Sequence, residues 1–511
     1  TNVNEVINGQ LNTSDKPAGF LDPNFPTISG GVGGTYYGTG SYWEYNRASF
    51  FGRINYNFND RYLFQFTFRE DGSSKFGADS RWGFFPSVAV GWRISEEPFF
   101  PKNSVISNLK FRASWGQLGN ENALGKYDFL ARISSYNDMY MGYVQGAGSN
   151  PWTGSIARAL ENRSLKWETT DTKNIGFDFG LFGNHLNGNI NYYINETRDL
   201  LITRRIAPSA GLDNPTLNVG KMRNQGFELE LNWNDKINDF EYNVGFNIST
   251  IANKVVALAN EDQTIYGVGL KYGTEHFPTQ TKVGKPIGAF YLYQADGIFQ
   301  SLEEVQAHKN SKGELLQPNA QPGDVRFKDM NGDGVIDEDD KTYSGTGIAK
   351  VEANLNLGAS YKGFDFSAVI GSAFGNKLYN GIRYYYEGMN SGSNFLKTTL
   401  NAWTPTNTKT DIPRAVFGDP NQNTRESTRF LENGDFVRLR QVQLGYTLPK
   451  ALSKHIYCES IRFYVSAENV FTITGYSGAN PEFSQGVLNS GIDRFTYPFS
   501  RSYTVGAQVS F

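Results

Sequence analysis

The densest run of potential ligands in the chain is DMNGDGVIDEDD, residues 329–340. Asp329, Asn331 and Asp333 offer side-chain oxygens at alternate positions, Gly334 permits a sharp turn at the sixth, and the Val335 carbonyl follows. Asp337 takes the ninth place and Asp340 the twelfth. This spacing wraps hard oxygen donors around one calcium ion, as in an EF-hand loop, with Ile336 anchoring the loop to the protein body. The twelfth place there carries a bidentate glutamate. The shorter Asp340 predicts fewer ligating oxygens or weaker binding.

The flanks cannot be EF-hand helices. Upstream, QPNAQPGDVRFK contains two prolines, and downstream, KTYSGTGIAKVEANLNLGASY alternates like a strand. A cation here would stiffen a loop between strands and move no helices.

Other chemistry is sparse. Cys458 is the single cysteine, with His455 three residues before it, half a metal site that lacks a second pair. SGGVGGTYYGTGS (29–41) has glycines spaced like a phosphate loop but no Gly-Lys-Ser/Thr and no strand-to-helix context. Four histidines lie scattered, and no nucleophile–base–acid set has an interpretable spacing, so the sequence predicts no enzyme. Trp43, Trp152, Tyr384, Tyr385, Tyr386 and Trp403 fall in loops, exposed to stack on sugar rings or peptide, or to pack the loops together.

The elements that must carry this loop are strands. There are 55 Gly, 38 Phe and 29 Tyr but 5 Met, a composition suited to strands and tight turns. Net charge is −3 with no Lys/Arg run, so nothing in the balance points to nucleic acid and no nucleic-acid partner is expected. No apolar stretch reaches the ~20 residues of a membrane helix.

Alternation is strict. Leu186, Ile190, Tyr192 and Ile194 share one face opposite Asn187, Asn189, Asn191 and Asn195. Phe227, Leu229, Leu231 and Trp233 oppose Glu228, Glu230 and Asn232, and residues 351–361 repeat the pattern. Further strands fit near 46–58, 61–70, 83–95, 107–117, 171–182, 240–252, 364–374, 435–448, 459–471 and 500–511, about thirteen in all. Short connections (58–61, 183–185, 234–239, 362–363) alternate with long ones (118–170, 198–223, 253–349, 375–434, 472–499), the pattern of an outer-membrane barrel. Aromatics at strand ends (Tyr56, Phe58, Tyr62, Trp82, Trp92, Trp115, Trp233, Tyr446) suit an interfacial girdle. The last strand, SYTVGAQVSF, ends on an aromatic, Phe511, as outer-membrane insertion signals do.

At RYLFQFTFREDGSSKFG (61–77), RWGFFPSVAVGWRISEEPFF (81–100), LKFRASWGQLGN (109–120), GKPIGAFYLYQADGIFQ (284–300), PGDVRFKDMNGDGVIDEDD (322–340), FVRLRQVQLGYTLP (436–449) and AENVFTITGYSGANPE (467–482) the chain resembles the C-terminal half of SusC/RagA TonB-linked outer-membrane transporters of Bacteroidota. The resemblance implies a plugged barrel of roughly twenty-two strands. It implies import of an oligosaccharide or peptide, energy from TonB, and a SusD-like surface lipoprotein as a lid. The N-terminal half would supply the plug and the remaining strands.

The expectation is therefore an all-β transmembrane antiparallel barrel segment set in outer-membrane lipid. Residues 1–45 would form an extracellular loop segment and 46–511 the barrel part. Residues 253–349 would be one large extracellular loop carrying the calcium loop, with IGAFYLYQ (287–294) a strand outside the barrel. With an odd strand number the first and last strands run the same way and pair with strands supplied from elsewhere. The alternatives are a passive porin or adhesin barrel without energy coupling, and a secreted calcium-stabilised β-sandwich that binds carbohydrate.

Overall fold

The computed structural model describes residues 2–10, 37–101, 105–131, 133–136, 154–157, 159–203, 206, 208–259, 263–272, 274–389, 394–455, 457–483 and 485–511. Thirteen strands follow one another through a single sheet in chain order. They are β1 (Arg47–Phe58), β2 (Tyr62–Ser73), β3 (Trp82–Arg93), β4 (Ile106–Asn120), β5 (Glu168–Leu181), β6 (Leu186–Thr203) and β7 (Thr216–Ile237). The rest are β8 (Phe240–Thr250), β9 (Val351–Tyr361), β10 (Phe364–Phe374), β11 (Phe436–Thr447), β12 (Ser460–Thr474) and β13 (Ser502–Ser510). Each expected strand is present, and a short continuation, Ala252–Ala257, also pairs with β7.

The turns explain why the chain reverses where it does. Asn59 and Asp60 sit at φ of 52° and 54°, and Lys362 and Gly363 at 46° and 89°. Two consecutive left-handed residues make the turn whose twist matches the flanking strands. The opposite strand ends carry 121–167, 258–350, 375–435 and 475–501. Among the described residues, β1 pairs only with β2 and β13 only with β12, so no bond joins the first strand to the last.

The chain forms two compact units. One comprises 1–90, 113–173 and 195–221, the other 91–112, 174–194 and 222–511. In the first, Asn2–Gln10 pairs with Tyr37–Tyr45 ahead of β1, and Phe76, Phe85, Leu124, Leu165 and Trp167 pack into a small core. The glycine run at 29–41 and Trp152 lie wholly or largely outside the described residues.

In the second unit the long connections build their own folded lobe. Thr279–Thr281, Ala289–Leu292 and Thr342–Thr346 pair in a sheet separate from the thirteen strands, which places IGAFYLYQ outside the main sheet as expected. Leu270, Phe290, Leu292, Tyr379, Tyr384, Phe430 and Ile492 form a core with no solvent exposure. Two aromatics expected to be exposed are therefore corrected. Tyr384 is a core residue, and Trp403 is buried with its indole N–H donated to Gln300. Burying a large ring brings more than displaying it, provided the indole finds an acceptor.

The backbone is tight where β7 meets the end of β8. A Cβ on Gly226 would overlap the Thr250 carbonyl oxygen, which already accepts the Tyr193 hydroxyl at 3.1 Å. Gly226→Ala should therefore destabilise the sheet by about 1–3 kcal/mol. Heat-modifiable gel migration of the refolded protein checks this, and an unchanged unfolding temperature would contradict it.

Candidate functional site

The strands present two faces of opposite character. Phe50, Ile54, Phe227, Phe463 and Val505 stand exposed on one face, with Val505 at 85% and Phe50 at 63% of full exposure. On the other face polar side chains bond to one another. Asn189 donates to Glu230 at 2.9 Å and Asn191 to Asn189 at 2.8 Å. Arg112 reaches Asp178 at 2.8 Å and Asn191 at 3.1 Å, and Asn354 donates to Asn247 at 2.9 Å. A protein dissolved in water hides its apolar face, and this sheet displays it. That inversion suits a wall with hydrocarbon outside and an aqueous path inside.

Glycines make room for the polar pairs. Arg462 donates two bonds to Asp365 across Gly445, where any Cβ would strike both partners.

The acidic loop lies in the lobe, follows strand Val325–Phe327 and ends in the short helical turn Glu338–Asp340. No EF-hand helix flanks it. Ile336 packs against Tyr293, Val325 and Phe327, the expected anchor. Gly334 takes φ of 90° beside Asn310, a conformation that favours glycine.

The side chains act as staples on their own backbone. Asp329 accepts the Gly332 N–H at 2.6 Å and the Gly334 N–H at 2.9 Å. Asn331 accepts from Asp333, Asp333 from Val335, and Asp337 from Asp339. Asp340, fully buried, accepts Met330 at 2.6 Å with one oxygen and Asp337 at 2.8 Å with the other. Among the described residues no three His, Cys, Asp or Glu side chains converge as a metal would require. The loop fits a calcium ion in donor types and turn shape, and its carboxylates instead hold the turn closed. His455 bonds the Ala451 carbonyl, and Cys458 is buried.

Sequence reasoning missed the charged centre of the lobe. Lys341 bridges Glu338 at 2.6 Å and the buried Glu426 at 2.5 Å, and His276 pairs with the same Glu426. Burial would raise the Glu426 pKa, but the bonds from His276 and Lys341 outweigh it and hold the carboxyl below its ordinary value. The Arg425 guanidinium lies over Tyr293 and Phe327, 4.9 and 4.6 Å from the ring centres. Arg429 pairs with Glu387 at 3.0 Å, and burial pulls it down to about 10. Glu338 apart, these partners are tens of residues away in the chain or more, so no local spacing announces them.

The profile described as "TonB dependent receptor-like, beta-barrel" matches residues 3–470. The chain belongs to that family. TonB-dependent receptor P3 of Formosa agariphila is 31% identical over 477 residues, 92% of this chain and 46% of the relative. TonB-dependent receptor SusC of Bacteroides thetaiotaomicron is 31% identical over 475 residues, covering 91% and 44%. The chain thus spans about half the length of the curated relatives it matches. Among solved structures, the RagAB peptide importer in its closed-closed state superposes with a TM-score of 0.76 at 26% identity, covering 96% of this chain and 51% of that one.

These relatives make the chain SusC/RagA-like. TonB-dependent receptors are outer-membrane transport proteins and not enzymes, and the β-sandwich reading falls away.

Two outcomes follow for this SusC/RagA-like chain. Leu229→Arg should cost roughly 2–4 kcal/mol if the residue sits near the bilayer midplane. Glu230→Gln on the opposite face should cost much less, as unfolding of the detergent-refolded protein can show. The depressed Glu426 pKa contributes stability above its unfolded value of about 4.3 that is lost as pH falls through the folded value. The urea resistance of the lobe, read from Trp403 fluorescence against a Trp403→Phe control, should drop between about pH 5 and pH 3. Glu426→Gln should flatten that dependence.

Proposed function

We propose that this chain is the barrel wall and extracellular lobe of an outer-membrane importer for an oligosaccharide or a peptide too large to diffuse through a porin. The observation that carries the reading is the inverted sheet: an exposed apolar face backed by a face of mutually bonded Asn, Glu, Asp and Arg. Hydrophilic side chains already satisfied by one another offer a passing solute many weak bonds and no deep well.

The N-terminal half of the same transporter supplies the plug and about nine further strands, which complete a barrel of roughly twenty-two. TonB pulls the plug through that half, and a SusD-like lipoprotein closes over the lobe. The likeness to SusC and to the RagAB peptide importer supports this assembly. The runner-up, a passive porin, needs no energy.

Uptake of a labelled oligomer by cells carrying the full transporter tests the reading. Removal of the TonB-contacting segment should abolish uptake. Uptake that persists would favour the porin.

The acidic loop adds a structural calcium ion to the proposal. Asp329, Asn331, Asp333, the Val335 carbonyl and Asp337 would supply its oxygens, with Asp340 closing the turn. A dissociation constant near 10⁻⁴ M would stabilise the lobe by about 1.4 kcal/mol at about 1 mM calcium. A calcium-dependent rise in unfolding temperature, lost in Asp329→Ala, is expected. Equal melting with calcium and with chelator would remove calcium from the account.

A further inference from the structure

Two neighbouring strands of the wall, β6 and β7, run to 18 and 22 residues, where β8, β9 and β10 have 11 each. A tilted strand crosses the hydrocarbon layer in about 9–11 residues. The turns at 182–185 and 238–239 fix one end of these strands, so the surplus stands at the other, where 204–215 joins β6 to β7.

The outward face changes character near that end. On β6, Leu186, Ile190, Tyr192 and Ile194 give way to Glu196 and Arg198. On β5, Ile175 and Phe177 give way to Lys173 and Asp171, and on β7 Phe227 gives way to Lys221. The two-residue period keeps each series on one face. The Tyr192 and Phe227 rings, 4.8 Å apart, show that β6 and β7 share it. On β8, β9 and β10 the same face carries no charged side chain and ends in Thr250, Val351 and Phe374.

The charges are layered. Asp171 accepts from Gln117 at 2.8 Å and pairs with Arg198 at 3.4 Å, and Glu196 pairs with Lys221 at 2.8 Å. The two carboxylates are 18% and 23% exposed and their cations 47% and 39%, so the positive groups stand outermost. Lys173 is exposed and pairs with no carboxylate among the described residues.

Position selects the occupant. A side chain just beyond a hydrocarbon-facing residue, on the same strand face, meets the layer of lipid head groups. Cations at that depth are matched by anionic head groups. On the side of the long connections, those are the phosphates of the outer leaflet's glycolipid.

We propose that the outward rim of β5–β7, through Lys173, Arg198 and Lys221, is a docking surface for the phosphate groups of outer-leaflet lipopolysaccharide. The inference rests on the barrel-wall part of the proposed function and is independent of what the protein imports.

The test uses the full transporter, N-terminal half included, purified in detergent and titrated with fluorescent lipopolysaccharide. Binding should fall as salt rises, and Lys173→Gln, Arg198→Gln and Lys221→Gln together should weaken it about tenfold or more. Lys173→Glu alone breaks no ion pair and should weaken it severalfold. Lys236→Gln, at the opposite end of β7, should bind as the parent does. Heat-modifiable migration identifies a variant that fails to fold, and Lys173→Glu then carries the test. Dephosphorylated lipopolysaccharide and inorganic phosphate are the other arms. Undiminished binding of the dephosphorylated lipid, binding of phosphate without the lipid, or equal affinity of the folded variants overturns the docking surface. Flotation with liposomes separates the two readings. A transporter that never enters the bilayer sinks the barrel wall and the rim with it, whereas one that enters and binds equally in every variant sinks the rim alone.

Discussion

A backbone in hydrocarbon has no water to satisfy its N–H and C=O groups, and the main sheet of this chain meets that requirement. In an outer-membrane barrel the solution is a sheet in which neighbouring strands pair along their length. The registers of β7 with β8, β8 with β9, and β9 with β10 run unbroken through their paired spans. With the backbone occupied in this way, only the side chains can differ between the two environments, and period-two alternation sorts them. Gly445 shows how tightly the sorting is enforced, since it exists to let the Arg462–Asp365 pair cross between strands.

The same requirement explains why the conventional core lies elsewhere. The sheet has no apolar layer of its own to bury, since its apolar face turns outward. Side chains such as Phe290, Tyr379, Tyr384 and Phe430 instead pack in the lobe that the long connections build. Buried ion pairs hold that lobe in register: Glu426 with Lys341 and His276, Asp324 with Arg414, and Glu387 with Arg383 and Arg429. Removing one partner from such a pair leaves a buried charge uncompensated, so these contacts specify one arrangement more than they add stability.

This division sets what the sequence could reveal. The thirteen strands were legible because Leu229 and Glu230 must take opposite faces whatever the loops do, and because Asn59–Asp60 and Lys362–Gly363 name their own turns. The acidic loop was legible by spacing, including its Ile336 anchor. The exposure of Tyr384 and Trp403 was misread because a loop aromatic looks the same in sequence whether it meets solvent or a core. The Glu426 and Asp324 centres were invisible, since Lys341 and Arg414 lie 85 and 90 residues from them, His276 further still, and only the folded lobe joins them. Arg440 was hidden for a subtler reason: a bulge breaks the alternation by which a reader assigns faces.

That break in alternation is where the two regimes meet. Along most of β11 the sheet dictates each side chain's direction, and in the lobe tertiary packing does. At Leu439–Gln441 the register slips against both β10 and β12. At this slip Arg440 is laid across Gly371 toward Glu482. A rigid wall supplies precise positions but a repetitive pattern, and a loop supplies variety with less rigidity. A bulge at their junction combines the wall's fixed backbone with a side-chain direction the wall alone cannot give. A side chain that must point off the wall's repeat is therefore best placed at this rim, where the strand still fixes its backbone.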